Sequence, residues 1–129
     1  MITKTITYTD YNGLERTEKF YFNLSAVELS DGDIYDTLVK ITNTGDPQTL
    51  LGLFKKIILA AYGEKSEDGR RFIKNDEIRS AFSQTEAYSK LFMELATDAD
   101  KLSDFVNSLI PDGLKDKAAE IQKSAPMPV

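Results

Sequence analysis

The sequence holds no cysteine, no histidine and no tryptophan. Without cysteine there are no disulfides, no thiolate metal ligands and no thiol nucleophile. Without histidine there is no imidazole acid, base or ligand, which removes every Ser–His and Cys–His arrangement at once. Positive charge is also scarce: 16 Lys and Arg stand against 21 Asp and Glu, a formal net charge of −5. Such a chain repels a phosphate backbone, so a general nucleic-acid binder or a transcriptional regulator is disfavoured. Long apolar runs are missing. The longest, Ile57 to Tyr62, follows Lys55-Lys56 and is far too short to cross a bilayer. The opening Met-Ile-Thr-Lys-Thr-Ile-Thr-Tyr alternates and lacks the apolar core of a signal peptide. The expected location is therefore the cytoplasm, with no membrane partner.

What is present suffices for a core: 129 residues, 41% of them hydrophobic, fit one domain without staples. The pattern predicts a single globular domain over residues 1–111, with a hairpin at 2–23 and a helical part at 25–111. Residues 112–129 lose the periodicity and end in Ala125-Pro126-Met127-Pro128-Val129, which reads as a loosely ordered tail. The fold class is α+β, predominantly helical: an N-terminal β-hairpin followed by a bundle of about four to six helices.

In the hairpin, Ile2, Ile6 and Tyr8 alternate with threonines before Asp10-Tyr11-Asn12-Gly13. Asn-Gly between two β-prone runs is a strong turn signal. A two-residue turn at Asn12-Gly13 splits the apolar residues between faces. A type I turn opened by Asp10, with Gly13 as a left-handed bulge, pairs Asp10 with Leu14, Ile2 with Phe22 and Lys4 with Phe20. That register gathers Ile2, Ile6, Tyr8, Leu14, Phe20 and Phe22 on one face and is preferred. Tyr21 then faces away from the hairpin interior.

Helical signals follow. Ser25 to Glu28 has capping-box spacing and opens a short turn ending at Gly32. A second short helix is expected over Ile34–Ile41. The strongest helix spans residues 47–62, with Asp46 as N-cap, Pro47 in the first turn and Gly63 as the stop. Leu50, Phe54, Ile57, Ile58 and Ala61 form its main stripe, and further apolar residues flank them, so it belongs at the centre of the bundle. Residues 63–74 read as a polar, ion-paired loop. Asn75 caps a short helix through Phe82. Ser83 to Glu86 reads as another capping box, opening a helix with Tyr88, Leu91, Phe92, Leu95 and Ala96 on one stripe. After Thr97-Asp98, Leu102, Phe105, Val106, Leu109 and Ile110 repeat the spacing up to Pro111. Either stripe serves the chain's own core or a client helix; periodicity does not say which.

No catalytic, cofactor-binding or metal-binding residue emerges. Asp31/Asp33/Asp36 lacks the Gly and the final Glu of a calcium loop, and Asp98/Asp100/Asp104 sits at a helix start; both read as caps. Gly63-Glu64-Lys65-Ser66 lacks the first glycine of a phosphate loop. Three residues remain as candidates for partner binding: Tyr21, an aromatic turned outward, and Arg70 and Arg71, in a loop.

Three stretches carry a family resemblance. They are Ala61 to Lys74 (AYGEKSEDGRRFIK), Phe82 to Asp98 (FSQTEAYSKLFMELATD), and the hairpin residues Tyr8 to Gly13, Arg16 to Glu18 and Phe20 to Leu24. Together they resemble the tail assembly chaperones of long-tailed (siphophage-type) bacteriophages and prophages, over about residues 4–111. The resemblance implies a non-enzymatic protein without cofactors that holds the long, helical tape-measure protein until tail-tube subunits polymerise around it, and that is absent from the mature virion. It implies the tape-measure protein as partner, with the tail-tube protein and self-association as further expected contacts. The alternative is a structural virion component, such as a connector or tail accessory protein.

Overall fold

Threonine alternating with isoleucine opens the chain as strand β1 (Ile2–Thr9), paired antiparallel with β2 (Glu15–Phe22). The computed structural model describes residues 1–109. The turn between the strands is the bulged one. The Gly13 N–H donates to the Asp10 carbonyl at 3.0 Å, and the Asp10 N–H donates to the Leu14 carbonyl at 2.8 Å. The Asp10 carboxylate also accepts the Asn12 and Leu14 N–H groups. Gly13 sits at φ 81°, the left-handed region that a side chain resists. Ile2 faces Phe22 and Lys4 faces Phe20, the register expected from the apolar pattern. Leu14 departs from that expectation: it is 59% exposed. Residues 11–19 are all exposed, so the hairpin tip offers Leu14 no apolar surface to pack on.

Because no atom lies within 4 Å of a Cβ built on Gly13, a substitution there strains only the backbone. Gly13→Val is expected to cost about 1–2 kcal/mol, and Gly13→Asn less, since Asn tolerates the left-handed region. Thermal melts of the two variants check that order; equal melting temperatures would contradict it.

Helix α1 (Ala26–Leu29) carries the full capping box: Glu28 N–H donates to Ser25 Oγ, and Ser25 N–H donates to the Glu28 carboxylate. Helix α2 (Gly32–Asn43) starts two residues earlier than the apolar pattern suggested and ends two later. Asp31, with extended backbone, accepts the Asp33 N–H and so makes Gly32 the first residue of this helix rather than the end of the previous turn. Helix α3 (Pro47–Ala61) has the expected Asp46 cap and first-turn proline. It stops one residue early, because Tyr62 and Gly63 leave the helix to join the sheet.

That departure is the main correction. Residues 63–74 are not simply a loop. They belong to a second hairpin, β3 (Tyr62–Lys65) and β4 (Phe72–Ile73), giving a sheet of order β1-β2-β3-β4. Tyr21 pairs with Gly63, and Phe22 with Tyr62. No ion pair forms inside the 64–71 segment among the described residues. Asp68 instead accepts from the Ser66 hydroxyl and the Arg70 N–H, and Ser66 Oγ accepts the Arg71 N–H. The tail expected over residues 112–129, the Pro111 stop and the residue 111 domain boundary lie outside the described residues.

Helices α4 (Asp76–Ser83), α5 (Glu86–Ala96) and α6 (Ala99–Leu109) complete the fold. Asn75 caps α4 as expected. Ser83 does not cap α5; it is still in α4, and its hydroxyl donates to the Ser80 carbonyl. Thr85 takes the capping role, accepting the Tyr88 N–H.

The core lies between the inward face of the sheet and the helices. Phe22, Phe54, Ile57, Ile58, Leu91, Leu95 and Leu109 are fully buried in it. Aromatic rings join the layers: Tyr62 stacks on Phe82 with centroids 4.0 Å apart, and Phe22 meets Phe105 edge-on at 5.4 Å. Of the expected α5 stripe, Leu91 and Leu95 are buried, and Tyr88 and Phe92 pack half-buried against the core; of the α6 stripe, Phe105, Val106 and Leu109 are buried, Leu102 packs half-buried, and Ile110 lies outside the described residues. They do not form a groove for a client helix.

Candidate partner-binding surfaces

The polar groups that attract attention in the sequence are mostly spent on architecture. Asp31 and Asp98 accept backbone N–H groups at helix starts, and Asp33 pairs with Lys56 at 2.7 Å. Gly63 to Lys65 runs as strand β3, so its backbone serves the sheet. Among the described residues, no group of acidic side chains is placed to hold a metal. Tyr8, whose hydroxyl donates to the Glu18 carboxylate, and Tyr11, whose hydroxyl donates to Glu86, are both raised, and burial raises Tyr62 and Tyr88, so none of these four is an activated phenolate.

One buried cation stands out. Lys74 Nζ donates to the Asn23 carbonyl at 2.6 Å, to Glu28 Oε2 at 2.6 Å and to the Ala60 carbonyl at 2.8 Å. All of its donors are used, which leaves none for a ligand. Burial pulls the ammonium below its ordinary value, against the opposing pull of Glu28. Burial also acts to raise Glu28, but Lys74 and the Ser25 N–H outweigh it and hold the carboxyl below its ordinary value. Asp10 (bound by Arg16), Asp46 (bound by Thr49) and Asp68 (bound by Ser66) are likewise lowered.

These lowered carboxyls set a pH dependence with a definite sign. A depressed folded-state value means stability that is complete above the ordinary carboxyl range, roughly pH 4–5, and is lost as the pH falls through the lowered values. With no histidine, no ordinary side chain titrates between about pH 5 and 8. The melting temperature is expected to stay flat from pH 8 to about 5.5 and to drop below about 4. A midpoint that moves between pH 6 and 7 would contradict this.

The outward face of the sheet is open to solvent, and one of the sequence candidates, Tyr21, lies on it. Tyr21 lies there half-buried, not fully exposed, with Lys65 Nζ 4.4 Å from its ring centroid. Phe72, paired with Lys65, lays its ring over Gly63. A Cβ on Gly63 would stand 2.6 Å from Phe72 Cε2 and 2.8 Å from the Ile73 carbonyl, so only glycine permits this approach. Arg70 and Arg71 leave the turn that joins β3 to β4, both exposed and without an ion pair among the described residues. Among the described residues, no hydrogen bond or cation–π contact joins Tyr21 to either arginine. Beside Tyr21, a groove of about 360 Å³ is lined by Lys19, Lys65, Glu18 and Glu64 together with the rings of Tyr21 and Tyr62. The pairing of Lys65 with Phe72 is not legible in the sequence, because it depends on two short strands that carry no alternation.

The domain is α+β, several of its acidic groups are spent on caps and internal ties, and its open sheet face sets Tyr21 beside Lys65. The chain belongs to the phage tail assembly chaperone family, whose model matches residues 1–128. No curated protein and no solved structure gives a significant match. Membership places the partners among phage tail components and suggests a non-enzymatic role. Among the described residues, no helix is long and apolar enough to cross a membrane.

Proposed function

We propose that this chain is a non-enzymatic chaperone that holds the tape-measure protein in the host cytoplasm until tail-tube subunits assemble around it, and that it is absent from the mature virion. The observation that carries the site assignment is the patch of Tyr21, Lys65 and Phe72 flanked by Arg70 and Arg71, cationic and aromatic on an otherwise acidic chain. Family membership supports the role. The burial of the α5 and α6 stripes supports the location, since it leaves the sheet face as the open surface for a client. The client segment that fits is helical, with acidic residues for the arginines and apolar ones for the ring faces.

Co-expression with the tape-measure protein encoded nearby tests the reading. The expected result is a soluble, co-purifying pair. Arg70→Glu combined with Arg71→Glu should cut recovery of the pair by roughly tenfold while stability shifts by no more than about 0.5 kcal/mol. If the tape-measure protein is equally soluble alone and does not co-purify, the chaperone reading fails. Finding the protein in purified virions by mass spectrometry would favour a structural component instead.

A further inference from the structure

Strand β1 is an edge of the sheet and eight residues long. The bond from Asp10 N–H to the Leu14 carbonyl fixes which of its groups point outward. Bonded and non-bonded pairs alternate along an antiparallel ladder. The even-numbered residues of β1 therefore bond to β2, and the N–H and C=O groups of Thr3, Thr5, Thr7 and Thr9 face away. The other side of β2 agrees: the odd-numbered Asn23 N–H donates to the Ala61 carbonyl, toward β3.

One outward carbonyl is occupied. Lys90, on α5, extends its ammonium to the Thr7 carbonyl. That contact ties α5, which packs against β1, to the strand edge. Between edge and helix runs a groove of about 600 Å³, with Thr7 and Thr9 on one wall and Glu86, Ser89, Lys90 and Met93 on the other. Met93 is 57% exposed and supplies an apolar floor.

An edge left open in this way invites pairing. A second copy of this chain fits poorly. Joining β1 to β1 would bring two Lys90 ammoniums to one seam and lay each α5, tied to its own strand edge, against the other copy. A lone strand brings no such helix. The charge of the lining narrows the choice further. Asp10 is held by Arg16 and Glu86 by the Tyr11 hydroxyl, which leaves Glu15 as a groove carboxylate with no ion pair among the described residues.

We propose that β1 and α5 form a strand-addition site for an extended segment of another protein chain, one that alternates apolar with polar residues and carries a basic side chain. The incoming N–H takes the Thr7 carbonyl from Lys90, and Lys90 turns to Glu86, one helical turn away. Apolar side chains of the added strand rest on Met93, and its basic residue reaches Glu15. This site is separate from the Tyr21 patch, so the two readings stand or fall independently.

The probe is a synthetic peptide as long as β1, alternating valine and threonine with a lysine at each end. Amide hydrogen exchange of the full chain is followed as it is added. Exchange at Thr3, Thr5 and Thr9 is expected to slow roughly tenfold at saturation. Lys90→Ala should tighten binding about threefold by removing the competing donor. Thr5→Pro, which removes an outward N–H that an edge strand can spare, should weaken it. A probe with glutamates in place of the lysines should bind more weakly. Unchanged exchange in both the wild-type chain and Lys90→Ala at millimolar probe overturns the site. So does sedimentation showing that Lys90→Ala dimerises without taking up the probe, since Lys90 would then be a guard against self-pairing only.

Discussion

Ile58→Asp is expected to leave the chain unfolded. Ile58 has no exposed surface and packs in the cluster that includes Phe54, Ile57 and Leu91. The substitution removes most of an aliphatic side chain, a loss of about 2–5 kcal/mol for large-to-small changes in cores. It also buries a carboxylate without a partner, which costs several kcal/mol more or forces the group to protonate. The sum is of the order of a domain's whole stability, about 5–15 kcal/mol. Far-UV circular dichroism of the purified variant should show lost helix and no cooperative melt. Ile58→Val should melt cooperatively, at a cost of about 0.5–1.5 kcal/mol. A wild-type melt for Ile58→Asp would mean that α3 does not run through the core.

Lys74→Ala is the second large effect. It withdraws donors from the Asn23 and Ala60 carbonyls and from Glu28 in one step. The Lys74 side chain is only 11% exposed, and Glu28 is 32% exposed, so water replaces the lost partners only in part. The expected loss is about 2–4 kcal/mol, below that of a fully buried pair because Glu28 retains some solvent. Glu28→Gln can keep the Ser25 cap with its one oxygen, but it then turns an amide NH2 toward the Lys74 ammonium, and it should cost about 1–3 kcal/mol. Urea unfolding of both variants measures the difference. Equal, small losses would show that the ammonium is not tying these segments together. The three acceptors come from the β2–α1 link, α1 and the end of α3, so the predicted loss spreads over the domain.

Where local chemistry decides the outcome, the sequence was a reliable guide. Gly13, Asp46, Pro47, Asn75 and the Ser25–Glu28 box each satisfy a backbone demand within a few residues, and each does so in the structure. The hairpin register was legible because a slip by one residue would have turned Phe20 and Phe22 to solvent. What depends on distant partners was not legible. Tyr62 to Lys65 is a strand because Tyr21 and Phe22 offer an open ladder, and nothing within the segment itself announces that. Ser83 has capping-box spacing on paper, but α4 runs through it, and Thr85 becomes the cap. Periodicity on α5 and α6 left open which body the stripes face, and burial answers that they face inward. Tyr21, Arg70 and Arg71 could be picked out only as unspent residues, whereas the packing of Lys65 on Tyr21 and of Phe72 on Gly63 becomes visible once the second hairpin is known.

The placement of β1 against α5 and α6 bears on how the chain is made. Lys90 and Thr7, which touch, are 83 positions apart. The hairpin is synthesised well before the helices that cover it, and at roughly 5–20 residues per second that interval lasts several seconds. Throughout it, Phe20 and Phe22 have no lid and the β1 edge no Lys90. Contacts so distant along the chain also slow the search for the native topology. The nascent protein is therefore most prone to aggregate just before α6 is complete, and truncations within that helix should reveal themselves first as poor recovery from the ribosome.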